Sequence, residues 1–307
     1  MKKLLGKIIL FASPLILIAV SMELLIREIP NEYVYKREYL DENSSKVEIL
    51  ILGGSHSYYG INPDCFSKRA FNASHVSQSI DYDFEIIKKY QDSWDHLEYI
   101  IIPVDYLTLF SQVAISIESW RVKNYEIYYN INRSLRLSDR FEILSFSPIT
   151  SFGRIRSYYC DHISPVTISE LGFGNAITER RDMDSTGMLA ARRHIESSDE
   201  RCYENNMAIV KEIIDFAYLN GIRILFFTPP AHQSYISNLD QSQLDKTIHS
   251  IEMIAEAHSN CSYHSFLNSN IFDIQDFMDA DHLSIGGAEK LSAKLNDVIV
   301  SPNQHDK

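Results

Sequence analysis

Two short segments carry residues whose types and spacing suit acyl chemistry. Gly53-Gly54-Ser55-His56-Ser57 follows directly on the apolar run at 47–52. A serine at a turn after a buried strand projects from the sheet edge, and glycines permit the tight backbone such a turn needs. Ser57 stands where the G-x-S-x-G elbow would have its last glycine, so the motif is not that elbow. Taken alone, the segment also reads as a plain strand-ending turn. The second segment is Asp279-Ala280-Asp281-His282, just ahead of the last helical stretch. An Asp three residues before a His can turn back to the imidazole's Nδ1 side, fix its tautomer and stabilise the imidazolium. Asp281 competes for that place, but adjacency to His282 makes folding back harder. Taken alone, this segment also reads as a helix N-terminus capped by Asp and Ser284.

Residues so far apart need a scaffold that brings them together. Apolar runs at 47–52 (VEILIL), 99–104 (YIIIPV) and 222–227 (IRILFF) read as buried strands, with a shorter one at 263–267. Helical spacing marks 81–94, 205–218, 239–257 and 287–298, and Asn220-Gly221 is a helix stop. Strands alternating with helices predict an α/β fold, a doubly wound parallel sheet covered on both faces. The pattern weakens at 108–201, which is rich in Tyr, Ser and Arg. That stretch reads as a largely helical insertion capping the carboxyl edge of the sheet, where open α/β sheets bind ligands.

A serine just after the first strand, paired with Asp-x-x-His before the last helix, resembles the SGNH, or GDSL-like, hydrolase superfamily. The resemblance implies a Ser-His-Asp site with Ser55 as nucleophile, His282 as base and Asp279 as its partner. Its oxyanion donors fall to Ser55 N–H and, in the segment Phe71-Asn72-Ala73-Ser74, to Ser74 N–H, with an Asn72 side chain or a 103–106 group as a third. The chain departs from the family pattern in three places, one being Ser74 where the family has a glycine whose N–H joins the oxyanion hole. Gly54 replaces the Asp before the serine, and Pro103-Val104-Asp105-Tyr106 replaces Gly-x-Asn after the second strand. An anchor, a stalk and Gly-Gly-Ser-His-Ser-Tyr-Tyr-Gly-Ile-Asn-Pro together are similar to a membrane-anchored branch, whose members act in alginate O-acetylation and D-alanyl transfer to teichoic acid. The resemblance covers 8–110 and 205–300.

The anchor is the N-terminus. Lys2, Lys3 and Lys7 precede an apolar run from Ile8 to Ile26. That length suits one bilayer crossing of about 20 residues. No small-x-small cleavage site follows, so 1–27 reads as an uncleaved signal anchor, 28–46 as a stalk and 47–300 as the SGNH-like domain. The alternative is a buried N-terminal helix of a soluble esterase. The lysines place the N-terminus in the cytoplasm and the rest outside it. A net charge of −12 on 307 residues argues against nucleic acid as partner.

No metal and no cofactor are assigned. His258-x-x-Cys261-x-x-His264 spans two element types, and Asp273, Asp276, Asp279 and Asp281 lack the glycine turn of a calcium loop. Arg180-Arg181 and Arg192-Arg193 read as solvated charges able to grip an anionic glycan. His232, after Thr228-Pro229-Pro230, reads as a loop residue or a substrate contact. Cys65, Cys160, Cys202 and Cys261 form no CxxC pair and read as buried free thiols. The expected protein is a membrane-anchored serine esterase or O-acyltransferase acting on an extracytoplasmic glycan or cell-surface polymer, with a multi-pass membrane acyltransferase as partner. Its rival is a catalytically inactive, glycan-binding or scaffold subunit.

Overall fold

A computed structural model of the chain describes residues 2–174 and 180–301. Met1 and the side chains of residues 2–9, Lys2, Lys3 and Lys7 among them, lie outside the described set. Five strands form one parallel sheet: β1 (Ile49–Ile51), β2 (Ala70–Asn72), β3 (Tyr99–Pro103), β4 (Arg223–Thr228) and β5 (Cys261–Ser265). The order is β2-β1-β3-β4-β5, so the strands wind outward in both directions from β1 and β3. The helices are α1 (Lys2–Arg27), α2 (Glu32–Asn43), α3 (Ser55–Gly60), α4 (Ile80–Lys89), α5 (Val122–Asn124) and α6 (Pro148–Tyr159), followed by α7 (Met183–Glu196), α8 (Tyr203–Leu219), α9 (Gln233–Ile236), α10 (Gln241–Glu256) and α11 (Ile285–Val300).

Strand side chains alternate between the two faces of a sheet, so a strand buried on both must be apolar throughout. β1 and β3 meet that demand, and every residue in both is buried. On one face, Ile49, Ile51, Ile101, Leu225 and Phe227 pack with Ala288, Leu291, Leu295 and Ile299 of α11. Leu50, Ile100 and Ile224 pair in register and point the other way. On that side α8 packs against α4 and β4. The edge strand β5 reads CSYHS and is only half-buried, which suits a strand with one open side. The expected strand at 263–267 therefore lies two residues earlier. β2 went unread because three residues carry no period.

The described chain divides into two compact units: Met1–Glu38 with Trp120–Thr167, and Tyr39–Ser119 with Ile168–Lys307. The first holds α1, whose stretch Leu10–Arg27 is long and apolar enough to cross a membrane, a property shared with signal sequences. Leu10, Phe11, Leu15, Ile16 and Leu17 are all exposed. Glu23 is buried near the end of this helix, although Leu24 and Leu25 after it are exposed. It pairs with Arg27 and accepts the backbone N–H groups of Glu142 and Ile143 at 3.1 and 3.0 Å. In the same unit Glu142 is wholly buried and meets Lys123 Nζ at 2.8 Å, Arg154 at 2.7 Å and the Tyr128 hydroxyl at 2.7 Å. The described residues between 104 and 202 form helices and short turns, with one isolated bridge between Ile168 and Gly174. All four cysteines are free thiols. Against the expectation of burial, Cys160 is exposed, and only Cys202 is fully buried.

Candidate active site

The first half of the site grows from the end of β1. Leu52 N–H extends the ladder to Ile101 O at 3.0 Å, and the chain then turns at Gly53, whose φ is +105°. A Cβ there would lie 2.2 Å from Pro103 Cγ, so the turn requires glycine both for its backbone and for its close approach to β3. Gly53 N–H donates to Asp83 Oδ1 at 2.9 Å. Burial pushes that carboxyl up to about 7. Gly54 C=O accepts the N–H groups of Ser57 and Tyr58, opening α3. Ser55 is the first residue of this short helix and remains half-buried at the sheet edge.

The second half is a tight loop before α11. An isolated antiparallel bridge joins Phe277 to Leu283, and Met278 N–H donates to His282 O at 3.0 Å. Inside the loop, Asp279 Oδ1 accepts N–H from Asp281 at 3.2 Å and from His282 at 2.9 Å. Those bonds turn the Asp279 carboxylate back over the His282 ring. Ser284 caps α11 through Gly287 N–H. His232 holds the loop from outside: its N–H donates to Ala280 O at 2.8 Å, and its ring caps α9 through Ser234. Its place is thus beside the loop.

The two halves meet. His282 Nε2 lies 2.8 Å from Ser55 Oγ, and His282 Nδ1 lies 3.0 Å from Asp279 Oδ1. Burial alone would lower the His282 pKa, but the charges of Asp281 and Asp279 outweigh it and raise the group above its ordinary value. Burial would likewise raise Asp279, yet its bond to His282 holds it well below the usual carboxylate range. An ionised Asp279 fixes the Nδ1–H tautomer, leaving the Nε2 lone pair facing the serine hydroxyl. That arrangement lets an imidazole accept a hydroxyl proton as the oxygen attacks a carbonyl.

Two histidines beside this line, His56 and His194, were given no role by the sequence. His56 stacks on His282 with ring centroids 5.5 Å apart, and its Nδ1 lies 2.8 Å from Asp105 Oδ2. Burial would raise Asp105, but His56 and His194 draw it down to about 2. His194 is half-buried; desolvation lowers its pKa to about 4, and its Nδ1 meets the Tyr235 hydroxyl at 2.7 Å. Asp281, the competing carboxylate, lies with Oδ1 3.5 Å from His282 Nδ1. The signal for His56 was its adjacency to Ser55; His194 left none.

Two of the nominated oxyanion donors, Asn72 and Ser74, are committed elsewhere. Asn72 Nδ2 donates to Ser57 O at 2.8 Å and to Ile61 O at 2.9 Å, and Ser74 N–H donates to Asn72 Oδ1 at 3.1 Å. The Ser74 hydroxyl also meets Asn72 Oδ1. Both residues are wholly buried and tie β2 to the end of α3. The nominated 103–106 turn supplies Asp105, an acceptor, to His56.

No family model and no curated protein matches the chain. Solved structures similar to it include a protein from Streptococcus pneumonia provisionally described as a platelet activating factor, at 10% identity over 94% of this chain and 98% of that one, with a TM-score of 0.43. Another, from Bacteroides fragilis and provisionally described as an acylhydrolase, matches at 10% identity over 87% of this chain and 96% of that one, TM-score 0.42. Identity and overlap of this order carry no chemistry, and the functional reading below rests on side-chain geometry.

Proposed function

We propose that the protein is a serine acyl-ester hydrolase or O-acyltransferase. The observation that carries this reading is the unbroken line from Ser55 Oγ to His282 Nε2, 2.8 Å, and from His282 Nδ1 to Asp279, 3.0 Å. Ser55 attacks the ester carbonyl while its proton passes to His282 Nε2. The imidazolium gives that proton to the leaving alcohol, and an acyl-Ser55 ester remains. In the second half His282 takes a proton from the acceptor, whose oxygen displaces Ser55, and the proton returns to Oγ. Water as acceptor makes an esterase; a sugar hydroxyl makes a transferase. The developing oxyanion needs positioned donors. With Asn72 and Ser74 committed elsewhere, Ser55 N–H is the remaining nominee. That same commitment favours one rival, a non-catalytic glycan-binding or scaffold subunit. Purified full-length protein in detergent should release acetate from a small acetyl ester or pass a labelled acetyl group to a glycan. Neither product would favour the rival.

A raised His282 pKa sets the pH profile. The imidazole must be neutral to accept the serine proton, so activity should fall as pH drops through that pKa, with the limb above the ordinary value of 6.5. Asp281→Asn removes a charge that raises His282, so its limb should move to lower pH. Profiles of kcat/KM for both proteins measure the shift; an unmoved limb would take Asp281 out of the electrostatics.

In this reading, the apolar α1 helix is an uncleaved anchor and the rest of the chain lies outside the cytoplasm, beside a cell-surface polymer and a multi-pass acyltransferase. The exposed apolar face of α1 and the lysines in its first residues of sequence support that placement. A C-terminal reporter active only outside the cytoplasm should give signal, and the protein should sediment with membranes. Release into the soluble fraction would remove the anchor.

A further inference from the structure

Asp281 poses a problem that the serine site does not solve. Its carboxylate is 2% exposed, and Oδ2 has no hydrogen-bond partner. A buried carboxylate oxygen left unpaired is costly, and natural folds rarely carry one without a role. Imidazoles surround it. His282 Nδ1 lies 3.5 Å from Oδ1, and His194 Nε2 lies 3.9 Å from Oδ2. Ligand atoms of His56, Asp281 and His282 all fall within 4.8 Å of one another.

We propose that His56, His282 and the Asp281 carboxylate, with His194 at the rim, form a binding site for a divalent transition-metal ion of the zinc class, and that an ion bound there switches the serine off. Imidazole nitrogens and a carboxylate oxygen are the ligand set zinc prefers, at about 2.0–2.2 Å each. Ligands at that distance around a tetrahedral ion lie about 3.4 Å apart. The 3.5 Å separation of His282 Nδ1 from Asp281 Oδ1 is already near it, while His56, within 4.8 Å of both, and His194, 3.9 Å from the other carboxylate oxygen, need to close.

The surroundings fit as well. Metal-ligating histidines commonly give their second ring nitrogen to a carboxylate or other polar group, which fixes the ring. His56 Nδ1 is held by Asp105 at 2.8 Å, and His194 Nδ1 by the Tyr235 hydroxyl at 2.7 Å, so Nε2 is the remaining nitrogen of each.

The binding half of the proposal stands on these side chains alone; the switching half rests on the serine reading. An ion on His282 Nδ1 takes that nitrogen's lone pair, and the ring proton moves to Nε2. Nε2–H then points at Ser55 and can no longer accept its proton. Asp279 loses the N–H it held.

The test uses the full chain in detergent with zinc chloride, and cobalt(II) as a spectroscopic stand-in. Calorimetry should give one zinc per chain, and cobalt should give visible absorption bands of a nitrogen- and oxygen-ligated ion. Asp281→Asn and His56→Ala should each weaken zinc at least tenfold while circular dichroism stays unchanged. Ser55→Ala should bind zinc normally, and so should His258→Ala, which removes a residue of the His258-x-x-Cys261-x-x-His264 segment. Zinc should also suppress ester hydrolysis by the unaltered protein, and a chelator should restore it. No stoichiometric zinc, or zinc that survives both Asp281→Asn and His56→Ala, overturns the site. Stoichiometric zinc with undiminished hydrolysis overturns the switch. A protein without hydrolysis but with the variant-sensitive zinc site overturns the serine reading and leaves the metal site standing.

Discussion

Ser55→Ala is expected to lower hydrolysis of a small acetyl ester by at least about 10³-fold, with His282→Ala close behind. The two residues act as one unit: without the imidazole the hydroxyl keeps its proton, and without the hydroxyl the imidazole has nothing to activate. The double variant should therefore lose little beyond either single one. Asp279→Ala should cost less, about 10²-fold, because Asp281 still lies 3.5 Å from His282 Nδ1 and keeps a negative charge near the imidazolium. Steady-state kcat/KM on all four proteins measures this. Additive losses in the double variant would mean that Ser55 and His282 do separate jobs. Ser55→Ala should not unfold, since Ser55 is half-buried and, among the described residues, its side chain bonds to His282.

The largest stability effect is expected in the other unit, at Glu142. Its side chain is wholly buried and accepts from Lys123, Arg154 and Tyr128. Burial alone would raise its pKa, but the two cations outweigh that and hold it below the ordinary value. Glu142→Ala strands the Lys123 ammonium, 2% exposed, without its carboxylate. Breaking a buried pair from one side costs about 3–5 kcal/mol, mostly as the penalty on the charge left behind. Replacing both, Lys123→Met with Glu142→Leu, should recover a large part of the loss, since the buried ammonium is then gone and Arg154, 31% exposed, can turn to water. Denaturant unfolding of the detergent-solubilised chain reads both. If the double variant is as unstable as Glu142→Ala, the bridge rather than the stranded charge carries the energy.

The sheet was legible where burial on both faces wrote itself as a continuous apolar run. The runs VEILIL, YIIIPV and IRILFF are the places where β1, β3 and β4 lie, and a parallel order follows from the helices between them. β2 and β5 were blurred for physical reasons. Ala70–Asn72 is too short to show a period, and CSYHS is an open edge without an apolar run. In the candidate site, Ser55 and the Asp279–His282 segment could be nominated because each relation is local: a turn after a strand, and a carboxylate three residues from a ring. The His56–Asp105 and His194–Asp281 contacts are tertiary and leave no local pattern. The Asn72 and Ser74 assignments came from family resemblance. The sequence did not show that the Asn72 amide is used to close α3 onto β2.

The central claim is that Ser55 is an activated nucleophile. Reaction of the purified full-length protein with a fluorophosphonate probe, followed by intact-mass and peptide mapping, tests it without any knowledge of the natural substrate. The expected result is one adduct per chain, located on Ser55, absent in Ser55→Ala and strongly slowed in His282→Ala. A folded protein that takes no label, or carries it on a residue other than Ser55, would contradict the account.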